Sequence, residues 1–455
     1  MRSSLSNKTG WHSIVLFLIC LIVFGWGGVI NAAGATPSQV TCRVELDRSV
    51  LPADNPQQVV VKVTLDAPRA PSEIARPPVN LCIVLDRSGS MSGQKIEKAK
   101  EAAIEALRRL GAGDLFSMVV YDHNVDTIIP AQNAVNTQWM ESRIRDIFSG
   151  GNTALFGGVS QGASEIRKNL DSRYVHRIIL LSDGLANVGP SAPEDLGRLG
   201  AALIKEGISV TTVGVGTDYN EDLMTRLSQN SDGNAYFVES SRDLPRIFTA
   251  ELGEVLNVVA KQVNVIIECP DGIEPVKIIG RDGRIHRGKV ELSLNQLYGG
   301  QEKYALVEVR VPAGESGQGR DIATARVTYE NPFTRKKESS SGSARATFST
   351  DKKTVEKSAN VDVQRELHLN LKAEAEEKAI EYFDAGNAPA AIGALKQSAR
   401  ELEERGRVLG DAVLLEEADK MTQQAETLEQ EGMSKSKRKE MRTDSYQLKN
   451  QQMSK

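Results

Sequence analysis

The stretch LCIVLDRSGSMSG, residues 81–93, is an apolar run that ends in an acid, two alternate serines and a glycine-rich turn. Leu81, Cys82, Ile83, Val84 and Leu85 read as a strand buried on both faces, as in a covered parallel sheet. Asp86, Ser88 and Ser90 follow at alternating positions, and Gly89 and Gly93 permit a tight turn into a helix beginning near Gln94. Three oxygen-bearing side chains are thereby delivered at the carboxyl end of a strand, where open α/β sheets bind ligands.

Outward from this stretch, residues 79–259 alternate strand and helix. Ile96, Ala99, Ala103, Ile104, Leu107 and Leu110 recur at helical spacing, and Leu115 to Tyr121 is the next strand. Val125 to Ile129 follows after only Asp122-His123-Asn124, which predicts an antiparallel edge pair. Helices over 137–148 and up to Leu170, the strand HRIILL, a helix over 194–205, the strand ISVTTVGVG, a helix from Asn220, the strand NAYFV and a helix over 242–259 complete the set. The expectation is a doubly wound, mainly parallel sheet of about six strands. In such a sheet the first and fourth strands are neighbours, which brings Asp86 beside Asp183, the acid ending RIILLS.

On either side the period changes to two. TCRVEL and VVVKVTL lie within residues 36–78, and VNVIIEC, VKIIG, KVELSL, YALVEVRV, ATARVTY and SARATF within 260–350. They fit an antiparallel β-sandwich into which the α/β domain is inserted, or which flanks it. Residues 360–432 are helical, with breaks at Gly386-Asn387 and near Gly406 to Gly410; they read as a helical hairpin with one tetratricopeptide-type pair. Residues 433–455 carry seven Lys or Arg against Glu440 and Asp444, and are expected to be a disordered basic tail.

Residues 1–35 follow the plan of a secretory signal peptide: Arg2 and Lys8, an uncharged run from Ile14 to Ile30, and the small-residue site Ala33-Gly34-Ala35. The alternative is an uncleaved anchor, since the run approaches the roughly 18 residues that span a bilayer. Export to the periplasm, the cell surface or the medium is the expectation. Membrane attachment applies only if this segment stays in place. An oxidising compartment would permit a disulfide between Cys42 and Cys269.

Charged residues at 25 % and apolar ones at 40 % are those of an ordinary folded protein, and a net charge of −4 gives no reason to expect a nucleic-acid partner. His12, His123, His176, His286 and His368 are scattered without an HExxH motif. No GxxxxGK[ST] loop occurs, so the common zinc-hydrolase and NTPase readings lack their motifs. Asp218, Asn220 and Asp222 have calcium-loop spacing but no closing glutamate, and read as a helix start.

The chemistry therefore gathers at Asp86, Ser88, Ser90, Asp183 and Thr153, the last in the glycine-rich loop SGGNTALFGG. Two carboxylates facing one cavity repel unless they share a proton or a cation. An all-oxygen set without His or Cys selects a hard cation, Mg²⁺ or Mn²⁺ first and Ca²⁺ after them. Two carboxylates balance a divalent ion, and three neutral hydroxyls leave it electrophilic enough to take an acidic side chain.

DRSGS at 86–90, Thr153 and LSDG at 181–184 resemble the three-part metal-ion-dependent adhesion site of von Willebrand factor type A domains. The resemblance covers residues 79–259. It implies a Rossmann-like α/β fold, with Asp86, Ser88, Ser90, Thr153 and Asp183 as metal ligands and a protein partner offering an acid to the ion. The flanking β-segments resemble those of exported bacterial proteins, and of inter-α-trypsin-inhibitor-like or calcium-activated-chloride-channel-like proteins. The expected activity is cation-dependent adhesion or scaffolding without catalysis. The alternative is an anchored subunit of a channel- or transport-associated assembly.

Overall fold

The computed structural model describes residues 39–71 and 75–452. The signal-peptide reading falls outside them. No helix among the described residues is long and apolar enough to cross a membrane.

The chain begins with strands β1 (Thr41–Leu46), β2 (Val50–Pro52) and β3 (Gln57–Asp66). It then enters the α/β region: β4 (Val79–Asp86), α1 (Gln94–Arg108), β5 (Leu115–Tyr121), β6 (Val125–Asn133), α2 (Thr137–Arg145) and α3 (Leu155–Arg167), then β7 (Val175–Ser182), α4 (Pro193–Lys205), β8 (Ile208–Val215), α5 (Glu221–Ser231), β9 (Ala235–Val238) and α6 (Leu244–Val255). The six strands run in the order β6-β5-β4-β7-β8-β9. Only the β5–β6 pair is antiparallel, as its three-residue connection requires.

Every residue of β4, β5, β7 and β8 is buried. The uninterrupted apolar runs follow from this, because helices cover both faces of the sheet. The period of two decides which face each residue serves. Leu81, Ile83 and Leu85 share a core with Ile96, Leu107 and Phe248 of α1 and α6. Cys82 and Val84 share the opposite one with Val159, Ile166 and Leu223 of α3 and α5. Asn220 caps α5 by accepting from the Leu223 N–H at 3.1 Å, so the Asp218–Asp222 run is a helix start.

After α6 come β10 (Val258–Glu268), β11 (Glu274–Ile279), β12 (Arg284–His286), β13 (Lys289–Tyr298), β14 (Glu302–Val311), β15 (Gly319–Asn331) and β16 (Lys336–Ser349). They join the first three strands in two sheets, β1-β3-β14-β11 and β12-β13-β10-β15-β16-β2. β3 pairs with β14 along its whole length, Gln57 opposite Val311 and Asp66 opposite Glu302. The α/β region thus lies, in sequence, between strands of shared sheets. Val61 and Val63 of one sheet and Val265, Ile267 and Val327 of the other contribute to one core. Cys42 and Cys269 are free thiols.

The remaining helices are α7 (Lys352–Lys357), α8 (Val361–Asp384), α9 (Ala388–Leu409), α10 (Ala412–Glu431) and α11 (Lys435–Lys449). Residues 360–432 form three helices instead of the expected two. The reason is the break at Gly410, which takes the left-handed conformation (φ 66°) and closes α9 before Asp411 caps α10. The expected disordered basic tail is also corrected, since α11 is a helix packed on α5, β9 and α8. Lys439, buried, donates to Glu221 at 2.5 Å and to the Tyr219 carbonyl at 2.8 Å. Arg438 pairs with Glu221, Asp222 and Asp384. The Tyr446 hydroxyl donates to the Gly233 carbonyl at 2.6 Å. The basic charges that suggested a solvated tail have an acidic surface to meet.

Candidate functional site

β4 and β7 are parallel neighbours, with Leu85 opposite Leu181. The chain leaving each strand therefore places Asp86 and Asp183 side by side at the carboxyl edge, both buried. Asp86 is held in a fixed orientation. Its Oδ1 accepts from the Ser88 N–H at 2.8 Å and its Oδ2 from the Ser182 hydroxyl at 2.6 Å. Ser88 Oγ lies 3.1 Å from Ser90 Oγ, and Ser90 donates to Asp183 Oδ1 at 2.7 Å. Through Ser88 and Ser90 a chain of hydrogen bonds joins the two acids.

Thr153 arrives from the glycine-rich loop, which the backbone stitches to the motif turn. The Gly150 N–H donates to the Arg87 carbonyl at 2.8 Å and the Gly89 N–H to the Gly151 carbonyl at 3.1 Å. On the other side the Thr153 N–H donates to Asn187 Oδ1 at 2.8 Å, and its carbonyl accepts from the Asn187 N–H at 3.1 Å. Gly184 shows how closely the three hydroxyls converge. A β-carbon there would lie 3.1 Å from Thr153 Oγ1, 3.2 Å from Ser90 Oγ and 3.6 Å from Ser88 Oγ. All five residues selected from the sequence thus meet at one place.

Burial pushes the Asp86 carboxyl up to about 6, against the Ser182 and Ser88 hydrogen bonds, and the Asp183 charge adds to the rise. The donor set suits a small hard cation: two carboxylates, and hydroxyls already gathered around one point. Among the described residues no group of three or more His, Cys, Asp or Glu is placed to hold a metal. An ion here would therefore rest on two carboxylates and neutral oxygens.

Several residues shape the site beside the five selected as ligands. Ser182 and Asn187 orient Asp86 and Thr153. Lys95 donates to Asp183 Oδ2 at 2.5 Å; in the sequence it is one more charge on the polar face of α1. His123 lies against the glycine-rich loop, where a β-carbon on Gly151 would overlap its ring. Its Nδ1 is 3.3 Å from Asp122 Oδ1. Phe148 and Leu185, in the loops that carry Thr153 and Asp183, are 80 % and 59 % exposed.

The family model of the von Willebrand factor type A domain matches residues 80–250. This region is a von Willebrand factor type A domain. Solved structures agree on the fold. A von Willebrand factor type A protein from Catenulispora acidiphila superposes with a TM-score of 0.66 at 18 % identity, covering 84 % of this chain and 90 % of that one. The ArnB paralog VWA2 from Sulfolobus acidocaldarius gives 0.59 at 15 % identity, covering 90 % and 98 %. Both likenesses extend well beyond the A domain. In sequence, the chain is 27 % identical over 276 residues to the uncharacterized Synechocystis protein sll0103, covering 58 % of this chain and 65 % of that protein. It is 27 % identical over 186 residues to human inter-alpha-trypsin inhibitor heavy chain H3, covering 38 % and 21 %. The chain spans less than two thirds of each of these curated relatives.

Proposed function

We propose that the A domain binds a divalent cation, Mg²⁺ first, through Asp86, Ser88, Ser90, Thr153 and Asp183, and through it an acidic side chain of a protein partner. The observation that carries this reading is the convergence of three hydroxyls above Gly184 beside two buried carboxylates. The ion would supply a Lewis-acidic docking point, and the protein's own residues supply the rest of the surface. Phe148 and Leu185 stand exposed in the loops bounding the site, where a docked partner would cover their apolar surface. The role proposed is binding without catalysis. We read the two-sheet region as a β-sandwich base, and the amino-terminal pattern as an export signal. The comparisons do not favour the channel- or transport-associated alternative.

The test is calorimetric titration with MgCl₂ and MnCl₂. Asp86→Ala and Asp183→Ala should abolish binding while the circular-dichroism spectrum is retained. Unchanged affinity in either folded variant refutes the assignment. Partner capture should be lost in EDTA and restored by Mg²⁺.

A further inference from the structure

Lys95 is the second residue of α1, just past the motif turn. Its ammonium donates to Asp183 Oδ2 at 2.5 Å, while Ser90 occupies Oδ1 at 2.7 Å. The side chain does not run out into solvent. A β-carbon on Gly216 would lie 3.7 Å from Nζ and 3.9 Å from Cε, so the stem crosses the end of β8 to reach the carboxylate. Asp183 is buried, and Lys95 keeps 32 % of its side chain exposed. It therefore has an open path away from the site.

Two buried carboxylates side by side repel unless a proton or a cation is shared between them, and Lys95 delivers one positive charge to one of them. A divalent ion ligated by Asp183 would meet that ammonium within a few ångström, where like charges repel strongly in a poorly hydrated setting. The two cations compete for one oxygen.

We propose that Lys95 is a tethered counter-ion of the A-domain site, neutralising Asp183 in the metal-free protein and yielding Oδ2 to the divalent ion. This rests on the metal-binding reading above. A released ammonium enters solvent, which already reaches the exposed part of its side chain. Lys95 sets the affinity of the site without being a ligand.

The experiment is calorimetric titration of the full chain with MgCl₂ alone, comparing the unsubstituted protein with Lys95→Met and Lys95→Gln. Removing the competing charge should tighten Mg²⁺ binding about tenfold in both variants. A lysine that merely props the loop would, on replacement, leave the affinity unchanged or weaken it. Equal or weaker binding in the folded variants overturns the counter-ion role and leaves the metal site standing. Absence of Mg²⁺ binding by all three proteins removes the metal site, and this proposal with it.

Discussion

The two ends of β7 carry opposite charges in opposite circumstances. Near its amino end Arg177 is fully buried. Its guanidinium donates to Thr211 Oγ1 at 3.0 Å, Gln296 Oε1 at 2.9 Å and the Tyr298 hydroxyl at 2.5 Å, and lies 3.3 Å from buried Glu251. Glu251 in turn accepts from Thr211 at 2.6 Å, Asn234 at 2.8 Å and Tyr236 at 3.1 Å. Just past its carboxyl end, Asp183 is buried beside a second carboxylate, with neutral hydroxyls around it and one half-exposed lysine as counter-ion. Gln296 and Tyr298 belong to β13, so the amino end is tied to the two-sheet region. The carboxyl end faces away from that tie. A buried charge compensated within the protein holds domains together; a buried pair of like charges, incompletely compensated, leaves room for an ion.

That contrast has measurable consequences, and the largest lies at the base. Arg177→Met should lower stability by about 3–5 kcal/mol, because it removes the buried guanidinium paired with buried Glu251. The check is urea unfolding; an unshifted midpoint would deny the base its anchoring role. A smaller effect belongs to His176, next in sequence. Its Nε2 donates to the Asp171 carbonyl at 3.1 Å, Nδ1 has no hydrogen-bond partner among the described residues, and burial, followed by the Lys261 charge, pushes the ring down to about 4. Between pH 6.5 and 4 the unfolded chain takes up a proton that the folded chain refuses. Stability should therefore fall through this window as pH drops, by on the order of 2–3 kcal/mol at pH 4. His176→Gln should remove that slope, and parallel curves for the two proteins would refute it. The smallest effect is expected at the rim, where Phe148→Ser and Leu185→Ser should change stability by less than about 0.5 kcal/mol. A larger loss would mean that these side chains support the fold and are not simply presented to a partner.

The site was legible in the sequence to the extent that its parts announce themselves locally. Asp86 and Asp183 each end a run of buried residues, and Ser88, Ser90 and Thr153 sit in glycine-rich turns. Such features need only a few neighbours to be read. Lys95 was not legible, because a lysine in the first turn of an amphipathic helix looks the same whether it meets solvent or a carboxylate 88 residues away. Ser182 was visible as part of LSDG, but its hold on Asp86 depends on the register of β4 against β7. The basic tail misled for the same reason. Lys439 and its partner Glu221 are 218 residues apart, and composition alone describes the charge without the surface that receives it.

By itself, then, the sequence determined the alternation of strands and helices, the two-period flanks and the three-part oxygen motif. Hydrophobic periodicity and turn chemistry are properties of short windows, so one chain suffices to reveal them. Only the tertiary structure decided that β3 pairs with β14, that α11 docks on the A domain, and that Lys95 rests on Asp183. Each is a contact between residues distant in the chain, decided by which surfaces complement one another once the sheets have formed.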